Sequence, residues 1–285
     1  SGRIALTDSG NKLVIFDNNK FNAYFSDGYT NTININGKDY RGYLDAHSVN
    51  SLLTAVNVVD IEDYLRSAVS SEMPSGWHIE ALKAQTVAAR CYTYTRKGIH
   101  SESGYDMCDG IHCQLYQGMS SETESSTRAV DETLGVVAYY GDEIINATFF
   151  SSSGGMTDNS ENVWANNIEY LRGVSDAYDT TGKVWTREFT LNELTDLALQ
   201  NNLSIGQVTG VAIKEISSTG RVAKMEITGT SGSKVLEKED IRTFFSKSDG
   251  GSLESRNFMI GEYTGYLSGG GSSDTYIMDS AQSKG

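Results

Sequence analysis

Two neighbouring segments of the chain alternate apolar and polar residues with the period of an α-helix. In the first, apolar residues recur at helical spacing over 61–68, and Asp60 before them can cap the first turn. Pro74 disfavours helical geometry at the residue before it, so this helix is predicted over 60–73. A second helix is predicted over 79–97, where alanines recur every three or four residues and allow close packing.

The remaining pattern places strands and helices in mixed order, without a regular alternating unit. This order indicates an α+β fold, in which mixed, largely antiparallel strands surround a central pair of helices that carries the candidate catalytic turn. Strands are predicted over 12–16, 32–35, 52–59, 135–150, 208–216 and 222–227. Further helices are predicted over 123–133, 191–201 and 238–245.

The domain organisation follows from the same pattern. Residues 1–267 are predicted as one structured region, and a division into two subdomains at about 1–185 and 186–267 stays open. Glycine and serine dominate at 268–273, which predicts a flexible tail over 268–285.

Glu72 stands where the first predicted helix meets the turn before the second. Continuing the apolar face by one turn brings Glu72 to the inward side, and the end of a helix disfavours a negative charge. Both conditions favour the protonated form that a general acid requires. The alternative is an ordinary solvent-exposed glutamate. Gln85 and Arg90 border the alanine stripe, where each can contact Glu72 or a sugar hydroxyl or simply belong to the helix surface.

Cysteine and histidine are scarce in the chain but crowded between residues 100 and 113. Two thiolates with one or two imidazoles suit tetrahedral zinc, so we assign His100, Cys108 and Cys113 to a structural metal site. If Cys113 lies in an extended run, its neighbour His112 points the opposite way, toward a substrate groove. A disulfide between Cys108 and Cys113, or two unlinked thiols, are the alternatives. Cys91 is expected to be a small buried apolar residue.

A set of motifs in fixed order covers about residues 40–260 and resembles the SpoIID/LytB family of cell-wall enzymes. No single motif would suffice, because the specificity lies in the ordered set. The motifs are VVDIEDYL (58–65), SEMP (71–74), EALKAQTVAAR (80–90), CQLYQG (113–118), SGGMT (153–157), ENVW (161–164), YLRGV (170–174), STGRV (218–222) and IR (241–242).

The resemblance implies a lytic transglycosylase that cuts peptidoglycan glycan strands to 1,6-anhydro-muramic ends during spore engulfment. Glu72 matches the acid/base of that family, and one carboxyl suffices for this chemistry, so no cofactor is required for catalysis. Hydrolysis with a second acid stays open, with Glu80, Asp106 and Asp109 as the nearest candidates. Relatives called amidase enhancers imply a second function, a non-catalytic peptidoglycan binder. The Gly-His-Gly segment usual near the family's C-terminus is absent from this chain.

Several downstream residues are candidates for a sugar groove. The glycines of the run Ser153, Gly154 and Gly155 permit a close backbone approach to a ligand. Tyr116 and Trp164 can stack on sugar faces, although core packing is the usual role of an aromatic residue.

The composition of the chain restricts the classes of partner that it can bind. The net charge of −14 argues against nucleic acid and against electrostatic binding to a membrane surface, and is compatible with carbohydrate. No run approaches the roughly twenty apolar residues of a membrane span. Because family members are secreted or anchored by an N-terminal segment, the resemblance implies an extracytoplasmic protein, membrane-anchored in its full-length form. Peptidoglycan glycan strands and sporulation engulfment proteins are the partners it implies.

Overall fold

The computed structural model describes residues 4–7, 13–16, 20–23, 32–49, 52–179, 184–246, 251–267 and 271–280. The chain forms two compact units, Ser1–Phe149 and Phe150–Gly285. The boundary that the sequence suggests near residue 185 falls inside the second unit. No helix in the described ranges combines the length and the apolar character needed to cross a membrane.

The described residues of the first unit form three α-helices and several short antiparallel sheets. The helices are α1 (Ile61–Glu72), α2 (Ile79–Arg96) and α3 (Glu124–Glu132). The strands are β1 (Ile4–Thr7), β2 (Leu13–Phe16), β3 (Lys20–Ala23), β4 (Thr32–Ile35), β5 (Lys38–Arg41), β6 (Tyr43–Val49), β7 (Leu52–Val58), β8 (Tyr139–Tyr140) and β9 (Glu143–Ile144). They pair as β1-β2, β3-β6-β7, β4-β5 and β8-β9.

In the part of the second unit that the structure describes, there are two three-stranded sheets and three short α-helices. The helices are α4 (Ser160–Val163), α5 (Leu191–Gln200) and α6 (Glu239–Phe244). The strands are β10 (Thr186–Thr190), β11 (Val208–Ile216), β12 (Val222–Gly229), β13 (Gly232–Glu237), β14 (Phe258–Leu267) and β15 (Gly271–Ser280). They pair as β11-β12-β13 and β10-β15-β14. Residues predicted as part of a flexible tail thus include β15.

The predicted α+β class is confirmed, and every strand pairing among the described residues is antiparallel. The central helix pair is also present. α1 begins where the Asp60 side chain accepts the Glu62 N–H at 2.9 Å, and it ends before Met73, which is extended because Pro74 follows it. α2 begins where His78 Nδ1 accepts the Glu80 N–H at 3.2 Å.

The predicted strand over 135–150 is largely wrong. Only β8 and β9 are strands there, two residues each, and residues 145–150 have no regular structure. The hairpin continues for one further cross-strand bond, from the Ile145 N–H to Ala138 O, and then ends because the backbone turns where the Thr148 N–H bonds to Asn146 O.

A small apolar core holds the helix pair in place. Leu65 and Val69 of α1 and Leu82 of α2 are fully buried and pack with Ala129 and Val130 of α3. α1 and α2 are therefore fixed on either side of the turn that joins them, and the end of α1 is held at a defined position.

Candidate functional site

Glu72 is the last residue of α1, and its side chain is exposed. The expectation that Glu72 packs inward is wrong. Because α1 stops at this residue, no further helical turn covers the side chain, although it continues the face of Leu65 and Val69. The carboxyl group is nevertheless held, since its Oε1 accepts the backbone N–H of Leu115 at 2.9 Å. An exposed and anchored carboxyl is accessible to a substrate.

The segment that holds Glu72 is itself fixed by a buried amide. Gln114 is 1% exposed, and its Oε1 accepts the Tyr64 hydroxyl at 2.9 Å and the Thr93 hydroxyl at 3.2 Å. Burial, followed by the neighbouring Tyr116, Cys113 and Glu72, raises the pKa of Tyr64 well above its usual value. The phenol therefore stays protonated and donates to Gln114.

Tyr64, Gln114 and the Leu115 N–H are site components that the sequence reasoning missed. Gln114 and Leu115 lie inside the CQLYQG motif, immediately after the metal candidate Cys113. Their position in that motif was the one indication of them in the sequence. A backbone donor such as the Leu115 N–H cannot be recognised from the identity of its side chain.

Gln85 lies inside the first unit, on α2. Its side chain is 8% exposed, and its Nε2 has no hydrogen-bond partner among the described residues. A buried amide nitrogen without a partner is costly, and an ordered water is the usual solution. The suggestion that Gln85 orients Glu72 or a sugar hydroxyl stays a prediction.

Arg90 is placed in the core by the structure. Its side chain is fully buried, and its Nε and Nη2 donate to both carboxylate oxygens of Glu62 at 2.9 and 2.6 Å. Its Nη1 donates to Val136 O at 2.9 Å. These contacts join α2 to the start of α1 and to the segment after α3, and they account for Arg90 as a structural residue without a sugar contact.

Tyr116 also lies in the core of the first unit. It is 8% exposed, its ring contacts those of Tyr40 and Tyr64, and its hydroxyl donates to Asn57 Oδ1 at 2.8 Å. A side chain that is buried to this extent leaves little ring surface for a sugar, so the structure favours the core-packing alternative.

The cysteine and histidine cluster is assembled in the first unit. One ligand atom from each of His100, Cys108, His112 and Cys113 lies within 4.8 Å of the others. His100 Nε2 is 3.2 Å from Cys113 Sγ, and His112 Nδ1 is 3.5 Å from Cys113 Sγ and 3.8 Å from Cys108 Sγ. A tetrahedral zinc with sulfur and nitrogen ligands separates its ligand atoms by about 3.3–3.8 Å. The donor set therefore suits zinc, and three of the separations are close to these values, within a group whose atoms lie up to 4.8 Å apart.

The prediction that His112 faces a substrate groove is wrong. Residues 111–113 form a turn, so the alternation expected of an extended run does not apply. His112 consequently points to the same side as Cys113 and joins the cluster. The cluster has four candidate ligands where the sequence reasoning counted three.

The pKa values of the two thiols in this cluster are shifted in opposite directions. Burial alone would raise the pKa of Cys108, but hydrogen bonds from the Gly110 backbone, Cys113 and His112 outweigh it and lower the pKa to about 6. Burial raises the pKa of Cys113. Neither cysteine is in a disulfide in this structure, and a thiolate at Cys108 is the form that binds a metal.

The remaining substrate candidates belong to the second unit. Ser153 is 5% exposed, and Gly154 and Gly155 adopt left-handed backbone conformations at φ of 62° and 93°. Trp164 directly follows α4 and is 46% exposed, and its carbonyl accepts a hydrogen bond from the Lys238 ammonium.

Comparison with known proteins supports the motif-based resemblance. Residues 49–140 match the family described as SpoIID, stage II sporulation protein, and residues 159–277 match a domain of unknown function, DUF8618. The first match contains α1, α2, Glu72 and the whole cysteine and histidine cluster.

Three relatives extend this similarity. An uncharacterized protein of Brachyspira hyodysenteriae is 32% identical over 223 residues, which is 77% of this chain and 58% of the relative. The stage II sporulation protein D of Bacillus subtilis is 31% identical over 208 residues, 66% of this chain and 58% of the relative. The amidase enhancer of Bacillus subtilis is 38% identical over 115 residues, 40% of this chain but 15% of the relative. The chain thus spans less than two thirds of the length of each relative. Its residues 49–140 belong to the SpoIID family, and the similarity to the stage II sporulation protein D extends beyond that segment.

Proposed function

We propose that this protein is a peptidoglycan lytic transglycosylase in which Glu72 is the general acid and base. The observation that carries the proposal is the geometry of Glu72, an exposed carboxyl at the end of α1 that is anchored by the Leu115 N–H. Anchoring limits the conformations of the side chain, while exposure leaves the carboxyl accessible to a long polymer.

The chemistry follows from one carboxyl group. In the acid form, Glu72 donates its proton to the glycosidic oxygen as the bond from that oxygen to C1 of muramic acid breaks. The resulting carboxylate accepts the proton of the 6-hydroxyl group, whose oxygen bonds to C1 and closes the 1,6-anhydro ring. Glu72 ends in its starting form, and no water is consumed.

Product analysis tests this proposal. Purified peptidoglycan is digested with the protein, and the soluble fragments are examined by mass spectrometry. We expect 1,6-anhydro-muramic ends from the wild type and none from Glu72→Gln. Glu124→Gln is the matched control, because Glu124 is an exposed glutamate of α3 in the same unit. Reducing ends would instead indicate hydrolysis, with Glu80, Asp106 or Asp109 as the second acid to examine.

A second candidate function is a non-catalytic peptidoglycan binder that enhances an amidase. The specific observation in its favour is the 38% identity with the amidase enhancer of Bacillus subtilis. This function predicts glycan pull-down that is equal for the wild type and Glu72→Gln, with no soluble product from either. It also predicts that adding the protein increases peptide release by a separate amidase.

We further propose that His100, Cys108, His112 and Cys113 hold a structural zinc ion. The support is the fit of the donor set and of the atom separations to tetrahedral zinc. Bound there, zinc would cross-link the segment that follows α2 to the segment before Leu115, and it would take no part in a catalytic step. Elemental analysis of protein purified without added zinc tests the site. Absence of zinc together with two missing thiols would favour the Cys108–Cys113 disulfide.

The cellular role is proposed from the relatives. The name of the stage II sporulation protein D relatives supports a role in cell-wall remodelling during sporulation, with engulfment proteins as partners. For such a role we expect the protein to act outside the cytoplasmic membrane and, in its full-length form, to be anchored to it. Protease accessibility in intact protoplasts tests this location, and complete protection from protease would contradict it.

A further inference from the structure

The loop after residue 150 directs several hydrogen-bond donors at one oxygen atom. Asp179 Oδ2 accepts the Ser153 N–H at 2.6 Å, the Gly154 N–H at 3.0 Å and the Ser152 hydroxyl at 2.7 Å. Ser153 Oγ is 3.1 Å from the same oxygen. These donors stand 25–27 residues from Asp179 in sequence, so the contact is not a local turn.

Arg221 fixes the direction of these donors. Its Nη2 donates to Ser153 O at 2.8 Å and to Met156 O at 2.5 Å, and its Nη1 donates to Thr157 O at 3.3 Å. In a trans peptide the C=O and the N–H point in opposite directions. Because the carbonyl of Ser153 faces Arg221, the Gly154 N–H of the same peptide unit faces the other way, toward Asp179.

The backbone conformation completes an anion-binding nest. Gly154 has φ of 62°, a left-handed value that brings successive N–H groups to one side of the chain. A nest of this kind binds anions through backbone partial charges, and Arg221 behind the loop adds positive potential. Ser152 and Gly154 are exposed, so a ligand in solvent can reach the donors.

A second carboxylate competes for the same hydroxyl. Ser153 Oγ is 2.9 Å from Asp176 Oδ2, and a hydroxyl has one proton, so it donates to Asp176 or to Asp179 at any moment. Ser153 Oγ also accepts the Gly155 N–H at 3.1 Å. If Asp179 leaves, the hydroxyl can turn fully to Asp176, which reduces the cost of displacing Asp179.

We propose that the Ser152–Gly154 loop is a carboxylate-binding site that the chain's own Asp179 fills, and that an incoming ligand carboxylate displaces Asp179. The donors converge on a single oxygen, which suits one oxygen of a carboxylate. The neighbouring carboxylate of Asp176 disfavours a doubly charged phosphate. The carboxylate-binding property is independent of cleavage by Glu72. That the ligand is a stem-peptide carboxylate of peptidoglycan rests on the proposed function.

The test uses the full chain and amide resonances as a local readout. In Asp179→Ala we expect the amide protons of Ser153 and Gly154 to move upfield, and to return downfield as sodium acetate is added. Because the tethered Asp179 acts as a competitor of high effective concentration, acetate should bind Asp179→Ala about tenfold or more tightly than the wild type. Asp196→Ala, which removes an exposed carboxylate of α5, is the matched control and should behave as the wild type.

The outcomes separate the claims. The site is overturned if Asp179→Ala gives a dispersed spectrum in which the amide shifts of Ser153 and Gly154 do not change on adding acetate. If the alanine variant does not fold, Asp179→Asn is tested by the same criterion. N-acetylmuramyl-L-alanyl-D-isoglutamine, which has one free carboxylate, should shift the same two amides, and its amidated form should not. If acetate shifts them and the muramyl peptide does not, the site stands and its stem-peptide ligand is refuted. Neither result depends on whether Glu72 cuts glycan.

Discussion

Replacing Arg90 by leucine distinguishes a structural role from a substrate-binding role. The Arg90 side chain is fully buried, and the Glu62 side chain that it pairs with is 15% exposed. Arg90→Leu leaves the Glu62 carboxylate without its guanidinium partner and the Val136 carbonyl without a donor. Removing one partner of a buried ion pair typically costs about 3–5 kcal/mol of folding free energy, a large fraction of the roughly 5–15 kcal/mol of a whole domain.

A second substitution separates the unpaired charge from lost packing. The double variant Arg90→Leu/Glu62→Leu has no carboxylate left at this position. Most of the folding free energy that Arg90→Leu loses should therefore be recovered. Recovery should stop short of the wild type, because Val136 O keeps no donor and the Gly135 N–H loses its 3.3 Å bond to Glu62. Gly135 and Val136 are exposed residues, so water can partly replace both bonds, and each should cost no more than the roughly 0.5–1.5 kcal/mol of an ordinary hydrogen bond.

The assay is urea unfolding followed by circular dichroism at 222 nm, because α1 and α2 are the longest helices and lie in the first unit. Arg128→Leu is the control, since the Arg128 side chain is 62% exposed in its pair with Glu132 and should leave the unfolding midpoint unchanged. Glycan pull-down is measured in parallel below the urea transition. An Arg90→Leu variant that unfolds like the wild type but no longer binds glycan would refute this reasoning and restore Arg90 to the substrate site.

Three single contacts give further predictions. Tyr116→Phe should lower the free energy of unfolding by about 1–3 kcal/mol without changing glycan binding, because it leaves Asn57 Oδ1 without its donor; weakened glycan binding at unchanged stability would contradict this. His112→Ala should lower the zinc content found by elemental analysis, whereas full zinc content with weaker glycan binding would support a groove position. Arg172 lowers the pKa of Glu161 from 4.5 to about 2, so their pair stabilises the fold fully above pH 4.5 and loses that effect as the pH falls to 2. The thermal unfolding midpoints of the wild type and Glu161→Gln should therefore converge across this range, and a constant difference would refute the pair's contribution.

Local rules predicted the helix pair well because its boundaries depend on neighbouring residues. The Asp60 cap and Pro74 set the limits of α1, and the alanine spacing sets α2. The failure over 135–150 has a different origin. An apolar run favours burial, but a strand also needs a partner for its backbone, and that partner cannot be identified from the run itself.

The side-chain roles were harder to predict because they depend on how many sides of a helix are covered. α2 buries Leu82 and, on its opposite side, Cys91, so the helix is covered on more than one side and no single apolar stripe shows which polar residue points to solvent. His112 was misplaced because alternation was assumed where the chain turns. Glu72 was correctly singled out as the end of a helix, but its exposure depends on which segments pack around it in space, and neighbouring residues in the sequence do not reveal them.

The metal candidates and the candidate acid are linked through consecutive residues of one segment. Cys113 belongs to the cluster, Gln114 is held by Tyr64 and Thr93, and Leu115 donates its N–H to Glu72. The Leu115 N–H can stay at 2.9 Å from the carboxyl only while the residues before it keep their position. Tyr64 reinforces the link, because the charges of both Cys113 and Glu72 act on its buried phenol. A requirement for zinc in activity would therefore follow from the positioning of Glu72, without any metal contact to the glycan.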